Sequence, residues 1–200
     1  MCAALDYVSR FDRHARKPVA PDDVRRVLVI KFWGLGNLIQ ATPAFRAIRN
    51  RFPSAKITYL TLERNRGLFD ASPLFDNIIY MRDGSVGDIF KGFFPLVKKL
   101  RAFKFDIVFD MDPIGRFCAI VTFLSGAPVR VGFSTRNQHR EQLYTDVVPL
   151  DENKHVRRIF LDLPARLGID VSDESLERIA VSAETVKNVD ELLESKGVPA

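Results

Sequence analysis

Short apolar runs alternate along this chain with stretches in which apolar residues recur every three to four positions. Val27–Lys31 reads as a strand buried on both faces, and Lys56–Leu60, Asn77–Met81, Asp106–Asp110, Val129–Phe133 and Asp146–Val148 read as further strands. Between them the spacing predicts helices: one carrying Phe45 and Ile48 with Arg46 and Arg49, a short one at Arg64–Phe69, then Phe90–Phe103 and Ile114–Leu124. Pro95 predicts that the third of these begins or kinks there. Asn153–Leu167 reads as a helix ended by Gly168. Ser182–Lys196 reads as a last one, with Ser182 as N-cap, Val186, Val189, Leu192 and Leu193 inward, and Gly197 closing it. Strands alternating with helices at this spacing predict an α/β fold with a doubly wound, mostly parallel sheet.

Composition adds three constraints. A chain of 200 residues with 46% apolar content can bury a substantial core. The cysteines, Cys2 and Cys118, are far apart, which argues against a disulfide framework and a structural zinc site. No run suits a secretory leader or a membrane span, so a soluble, cytoplasmic protein is expected. The net charge of +5 is uneven: residues 1–150 hold 23 Lys/Arg against 14 Asp/Glu, and residues 151–200 hold 7 against 11. A basic front end favours an anionic partner. Nucleic acid is not expected, because no interleaved aromatic and basic motif accompanies the charge. Residues 1–25 read as a basic arm, disordered or weakly helical, able to touch the inner membrane surface peripherally. Residues 26–181 form the expected domain, and residues 182–200 hold the last helix and the start of a linker.

Ligands of open α/β sheets gather at the carboxyl ends of the strands. Three groups of candidates fall there. After the first strand come Lys31, Trp33, Gly34, Gly36 and Asn37; after the fourth, Asp110, Asp112 and Arg116; after the fifth, Ser134, Arg136, Asn137, His139 and Arg140. Glycines let backbone approach a ligand closely, a tryptophan can stack on a sugar face, and arginines can fork onto phosphate or carboxylate. Each has a plainer reading: a tight turn at Gly34 and Gly36, helix capping by Asp110 and Asp112, a loop histidine at His139.

The stretch KFWGLGNLIQATPAFRAIRNRFP resembles the opening motif of glycosyltransferase family 9, the lipopolysaccharide heptosyltransferase family. FDIVFDMDPIGRFCAIVTFLSGAPVRVGF is similar to the family's second block, with a strand ending in Asp, a basic residue six positions on, and a downstream Arg-x-Gly. The resemblance covers residues 26–168. It implies the Rossmann-like, acceptor-binding N-terminal lobe of a two-lobed GT-B enzyme, with an absent C-terminal lobe that binds the nucleotide-sugar. The implied activity is inverting transfer of a heptose-like sugar, from ADP-heptose as co-substrate, onto a lipopolysaccharide-core or similar glycan acceptor. Neither metal nor cofactor is required, and the partner is an anionic glycan or lipid-linked sugar. The chain is then expected to be a cropped piece of a longer protein, inactive by itself.

One departure changes the chemistry. The family's opening loop ends in Gly-Asp, whose carboxylate is the presumed general base on the acceptor hydroxyl; here that position is Asn37. An amide can orient a hydroxyl but not take its proton, and loss of a general base costs about 10²–10⁴-fold in rate. A base from Asp110 or Asp112, a substrate group acting instead, or a non-catalytic role each accounts for it, and Asp112 is the favoured surrogate. Lys31, Arg116 and Arg136 are expected to meet anionic groups. Two rivals stand beside this reading. A dinucleotide-binding oxidoreductase is disfavoured because Gly34-Leu-Gly36 lacks a third glycine and has Ile39 in its place. A sugar-binding module without catalysis is the other.

Overall fold

In the computed structural model, which describes residues 23–70, 72–82, 84, 86–136, 138–178 and 183–197, the apolar runs form a six-stranded sheet. Its strands are β1 (Arg26–Ile30), β2 (Lys56–Leu62), β3 (Asn77–Met81), β4 (Ile107–Asp110), β5 (Val129–Ser134) and β6 (Asp146–Pro149). They lie in the order β3-β2-β1-β4-β5-β6, and each neighbouring pair is parallel. This is the doubly wound, Rossmann-like sheet that the alternation predicts. The order reverses between β1 and β4, where Val29 has Tyr59 on one side and Phe109 on the other. At such a reversal the two outgoing chains part and leave a crevice at the strands' carboxyl ends.

The helices are α1 (Leu35–Gln40), α2 (Thr42–Arg51), α3 (Val86–Phe103), α4 (Arg116–Leu124), α5 (Val156–Ala165) and α6 (Ala183–Ser195). Strand side chains alternate between two apolar layers, as the pleat requires. Val27, Val29, Tyr59, Phe109 and Val131 pack with Phe45 and Ile48 of α2 and Phe160 and Leu163 of α5. Leu28, Ile30, Leu60 and Val108 pack with Leu96 and Leu100 of α3 and Cys118 and Val121 of α4. Each such side chain contributes about 1.5–3 kcal/mol by burial, against the entropy of ordering it. The phenylalanine-rich composition is spent here: Phe45, Tyr59, Phe69 and Phe75 form a cluster with ring centroids 4.6–5.9 Å apart.

Several elements differ from the sequence reading. The helix after β1 is two helices. Pro43 has no N–H to donate back to Ile39, so the ladder breaks at Ala41–Thr42, and the Thr42 hydroxyl takes over by donating to the Ile39 carbonyl at 2.7 Å. The expected helix at Arg64–Phe69 is a single 3₁₀ turn, Glu63–Asn65, followed by loop. Helix α3 begins at Val86 rather than at Pro95 and continues past it; the ring sits on the exposed side, where water can serve the carbonyl that its missing N–H leaves behind. Val186, Val189 and Leu192 of α6 are exposed rather than inward, so that stripe has no matching surface within the described residues. Ser182, Asn137 and residues 1–22 lie outside the described residues.

The uneven charge also finds a use. Beyond α5, residues 170–178 run back over α2 and α5. Arg46 pairs with Asp173 at 3.1 Å and Glu177 at 2.9 Å, and Arg157 donates to the Glu174 carbonyl at 2.7 Å. Arg46 of the basic front is thus neutralised by carboxylates of the acidic end.

Gly132, in the middle of β5, is fixed by contact. A Cβ there would sit 2.3–2.7 Å from three ring atoms of Tyr144. Gly132→Ala should therefore destabilise the fold by about 1–3 kcal/mol through overpacking. Chemical denaturation would show this as a lower midpoint at unchanged slope, and an unaltered midpoint would refute it.

Candidate functional site

The carboxyl ends of β1 and β4 are joined by side chains where the backbone ladder runs out. Lys31 follows β1 and is 1% exposed; its Nζ donates to Asp112 Oδ1 at 2.6 Å and to the Trp33 carbonyl at 2.6 Å. The other carboxylate oxygen of Asp112 accepts from the Phe32 N–H at 2.7 Å. From β2's side Asn65 donates to the Phe32 carbonyl at 3.0 Å and to Thr61 at 2.8 Å. Residues 31–33 are therefore gripped through the Phe32 N–H, the Phe32 and Trp33 carbonyls and the Lys31 ammonium.

What this base presents is the turn at Trp33 and Gly34 and the first turn of α1 through Asn37, exposed throughout. Trp33 is 50% exposed, with the Arg64 guanidinium 5.7 Å from its ring centre. Gly34 turns the chain at φ +80, and Asn37 folds back so closely that a Cβ on Gly34 would lie 3.0 Å from its amide nitrogen. Gly36 has nothing within 4 Å of where a side chain would begin, so it leaves open space beside Asn37. The two glycines thus do different work: one makes the turn and the other clears the approach. Leu35, at the start of α1, and Ile114, on the loop after β4, are exposed apolar residues.

A second buried network ties β4 to the loop after β5. Arg140 is fully enclosed; it donates to Asp110 Oδ2 at 2.8 Å, to the Asp112 carbonyl at 2.8 Å and to the Gly115 carbonyl at 2.9 Å. The Tyr144 hydroxyl donates to the same Asp110 oxygen at 2.5 Å. Gln138 accepts from Arg116 Nε through its carbonyl at 2.9 Å and from the Gly115 N–H through its side chain at 3.0 Å. Burial pushes the Asp110 carboxyl up from 3.8 to about 6, against the opposing pull of Arg140. The same burial, reinforced by the Asp110 charge, raises the Tyr144 hydroxyl and the Cys118 thiol.

These contacts correct three expectations. Lys31 is neutralised inside the fold and is not presented to an anionic ligand. Asp112, the favoured surrogate base, is enclosed with both oxygens engaged, and Asp110 is sealed beneath Arg140 and Tyr144; both hold loops in place rather than face an acceptor. Trp33, Gly34, Gly36 and Asn37 do gather on one exposed stretch, but Gly36 and Asn37 stand in the first turn of α1 and not on the expected loop. Arg116, Arg136 and His139 are exposed on the β4 and β5 side, with Arg116 tethered to Gln138 and His139 in a left-handed turn at φ +48. Sequence reasoning missed Asn65 and Tyr144 and grouped Arg140 with surface cations. The Arg-x-Gly at Arg130–Gly132 was the available signal, since a glycine inside a central strand marks a close approach.

No protein-family model matches the chain. It is 25% identical over 142 residues to the lipopolysaccharide heptosyltransferase 3 of Escherichia coli, covering 68% of this chain and 41% of that protein. In fold it is similar to a family 9 glycosyl transferase from Veillonella parvula, with TM-score 0.74 and 23% identity over 87% of this chain and 50% of that one. It is also similar to the ADP-heptose lipopolysaccharide heptosyltransferase II of Escherichia coli, with TM-score 0.63 and 18% identity over 84% and 50% of the two chains. A third similar structure is the Escherichia coli heptosyltransferase WaaC with ADP, with TM-score 0.59 and 19% identity over 76% and 50%. The chain thus spans about half the length of these structures and about two-fifths of the curated relative. The resemblance to glycosyltransferase family 9 that the motifs carry is borne out in both sequence and fold.

Two outcomes follow from the buried networks. Lys31→Met leaves Asp112 as an unpaired buried charge and should cost about 3–5 kcal/mol; Lys31→Met/Asp112→Asn, which removes both charges while the amide oxygen still accepts from the Phe32 N–H, should recover part of that in denaturant melts. For Asp110, the folded state holds its proton more tightly than the unfolded chain does. Its contribution to stability therefore falls as pH rises from 3.8 to about 6 and is level above that. Unfolding midpoints measured across this window should slope downward more in the natural chain than in Asp110→Asn, and equal slopes would contradict the assignment.

Proposed function

We propose that this chain is the acceptor-binding lobe of a family 9, GT-B-type glycosyltransferase that moves a heptose-like sugar from a nucleotide-sugar donor. The observation that carries the reading is the rigidly based, exposed stretch Trp33–Asn37, a turn leading into α1, at the reversal of strand order in a fold similar to heptosyltransferases. Trp33 offers a face for a sugar ring, Gly36 clears the approach, and the Asn37 amide orients the acceptor hydroxyl. Arg116 and Arg136, exposed on the adjacent loops, are the cations to which anionic groups of the acceptor would turn. ADP-heptose is the donor we favour, bound by a second lobe, with no metal or cofactor taking part. A lipopolysaccharide-core glycan is the acceptor we favour. Its carrier lipid would keep the enzyme at the inner face of a membrane.

Asn37 supports a second reading. With Asp110 and Asp112 enclosed, the acceptor proton passes to a group of the substrate or of the second lobe, or the protein binds glycan without transferring sugar. The two are separable. In the complete transferase, Asn37→Asp should raise kcat by about 10²–10⁴-fold if the missing carboxylate is what limits the rate. Transfer confined to the Asp variant would establish the natural protein as a binder. Equal rates would show that the carboxylate at this position is dispensable.

Acceptor binding has its own readout, because Trp33 is the single tryptophan of the chain. A phosphorylated core oligosaccharide should shift its emission, while ADP-heptose should leave it unchanged. A response to the nucleotide-sugar alone would invert the assignment of this lobe.

A further inference from the structure

The outer face of α3 carries chemistry that the acceptor loop does not use. Leu96 and Leu100 bury the inner face of the helix in the core. On the outer face Phe94, Lys98 and Arg101 follow one another at spacings of four and three residues and so share a stripe. Phe94 is 76% exposed, more than Trp33 or Leu35. Lys98, Lys99 and Arg101 are exposed, and none has an acidic partner among the described residues. Between residues 89 and 105 the sequence holds Lys91, Lys98, Lys99, Arg101 and Lys104 and no Asp or Glu. Beside the stripe, a groove between β3 and α3 is lined by Ile79, Met81, Pro95 and Leu96 together with Arg82 and Lys99.

A single exposed phenylalanine needs no explanation, and an ordinary solvated face mixes both signs of charge. Among its described side chains this face has one sign only, and it projects an apolar ring from among the cations. A surface that is anionic outside and apolar just beneath answers both features, and a bilayer containing acidic lipids is such a surface. Single-stranded nucleic acid would satisfy the charge, but it is held by successive aromatic platforms along a groove, and this stripe has one ring. We propose that the outer face of α3 docks this protein peripherally on an anionic membrane, with Phe94 entering the boundary between headgroups and acyl chains and Lys98, Lys99 and Arg101 facing lipid phosphates. No helix among the described residues is long and apolar enough to cross a membrane, so the contact is made from one side. The proposal stands on α3 alone and requires neither sugar transfer nor the basic arm at residues 1–25.

Co-sedimentation of the whole chain with vesicles tests it. The chain should bind vesicles of phosphatidylcholine with about 30% phosphatidylglycerol in about 0.05 M salt, ignore phosphatidylcholine alone, and dissociate in about 1 M salt, where screening shortens to about 3 Å. Phe94→Ser and Lys98→Glu/Arg101→Glu should each lower the partition coefficient at least about tenfold, with circular dichroism unchanged. Should charge reversal disturb the fold, Lys98→Gln/Arg101→Gln should still lower it about fivefold. Undiminished binding by these variants would place the attraction elsewhere on the chain and overturn the proposal. Equal binding to neutral vesicles would also overturn it, as would capture of a single-stranded oligonucleotide in preference to vesicles.

Discussion

The ion pair between Lys31 and Asp112 is the constraint on which the exposed loop depends. The sheet ladder carries β1 and β4 only as far as the Met111 N–H, which donates to the Ile30 carbonyl at 2.9 Å. Beyond that the two chains diverge, and each would leave polar backbone groups without partners in an apolar surrounding. Asp112 answers the Phe32 N–H with one oxygen and Lys31 with the other, while Lys31 answers the Trp33 carbonyl. A buried pair of this kind adds little net stability over a well-packed apolar pair, because desolvation offsets the attraction. Its effect is positional: it fixes where the chain leaves the sheet, and so where Trp33 and Asn37 stand.

Everything outward of that point is built from small and interrupted elements. Gly34 turns the chain, and a short helix carries Asn37. The break at Ala41–Thr42 then lets the next helix set its own angle, so that Phe45 and Ile48 reach the core. On the far side of the reversal, the loops after β4 and β5 are zipped together by Gln138 and by Arg140 with Asp110 and Tyr144. The molecule thus holds its loops from beneath with buried charge and leaves their upper surfaces to glycine, asparagine, exposed aromatic or apolar groups and the exposed Arg116, Arg136 and His139.

Much of the fold was legible because parallel strands buried on both faces are near-continuous apolar runs, and every predicted strand formed. The site was legible as a loop but not as a set of roles. Lys31, Asp110, Asp112 and Arg140 look in sequence like charges awaiting a ligand, since a titratable residue after a strand is where ligands bind. Only three-dimensional pairing shows that they satisfy one another: Lys31 and Asp112 are 81 positions apart, and Asp110 and Arg140 are 30 apart. Local spacing carries no trace of such pairs. The same limit explains α6, whose apolar stripe at Val186, Val189 and Leu192 has a helical period but does not say whether a surface exists to receive it.

Gly132 and Tyr144 have an evolutionary consequence. The ring of Tyr144 occupies the space over Gly132, and its hydroxyl completes the shell around Asp110, so neither position can drift alone. A larger residue at 132 would be accepted only in a background where 144 had already become small, and that background would have left Asp110 and Arg140 short of a partner. The pair is therefore epistatic, with the intermediate genotypes disfavoured from either direction. A contact between a backbone and a ring, buried beneath the loops after β4 and β5, thereby narrows the routes by which the residues that hold those loops can be exchanged.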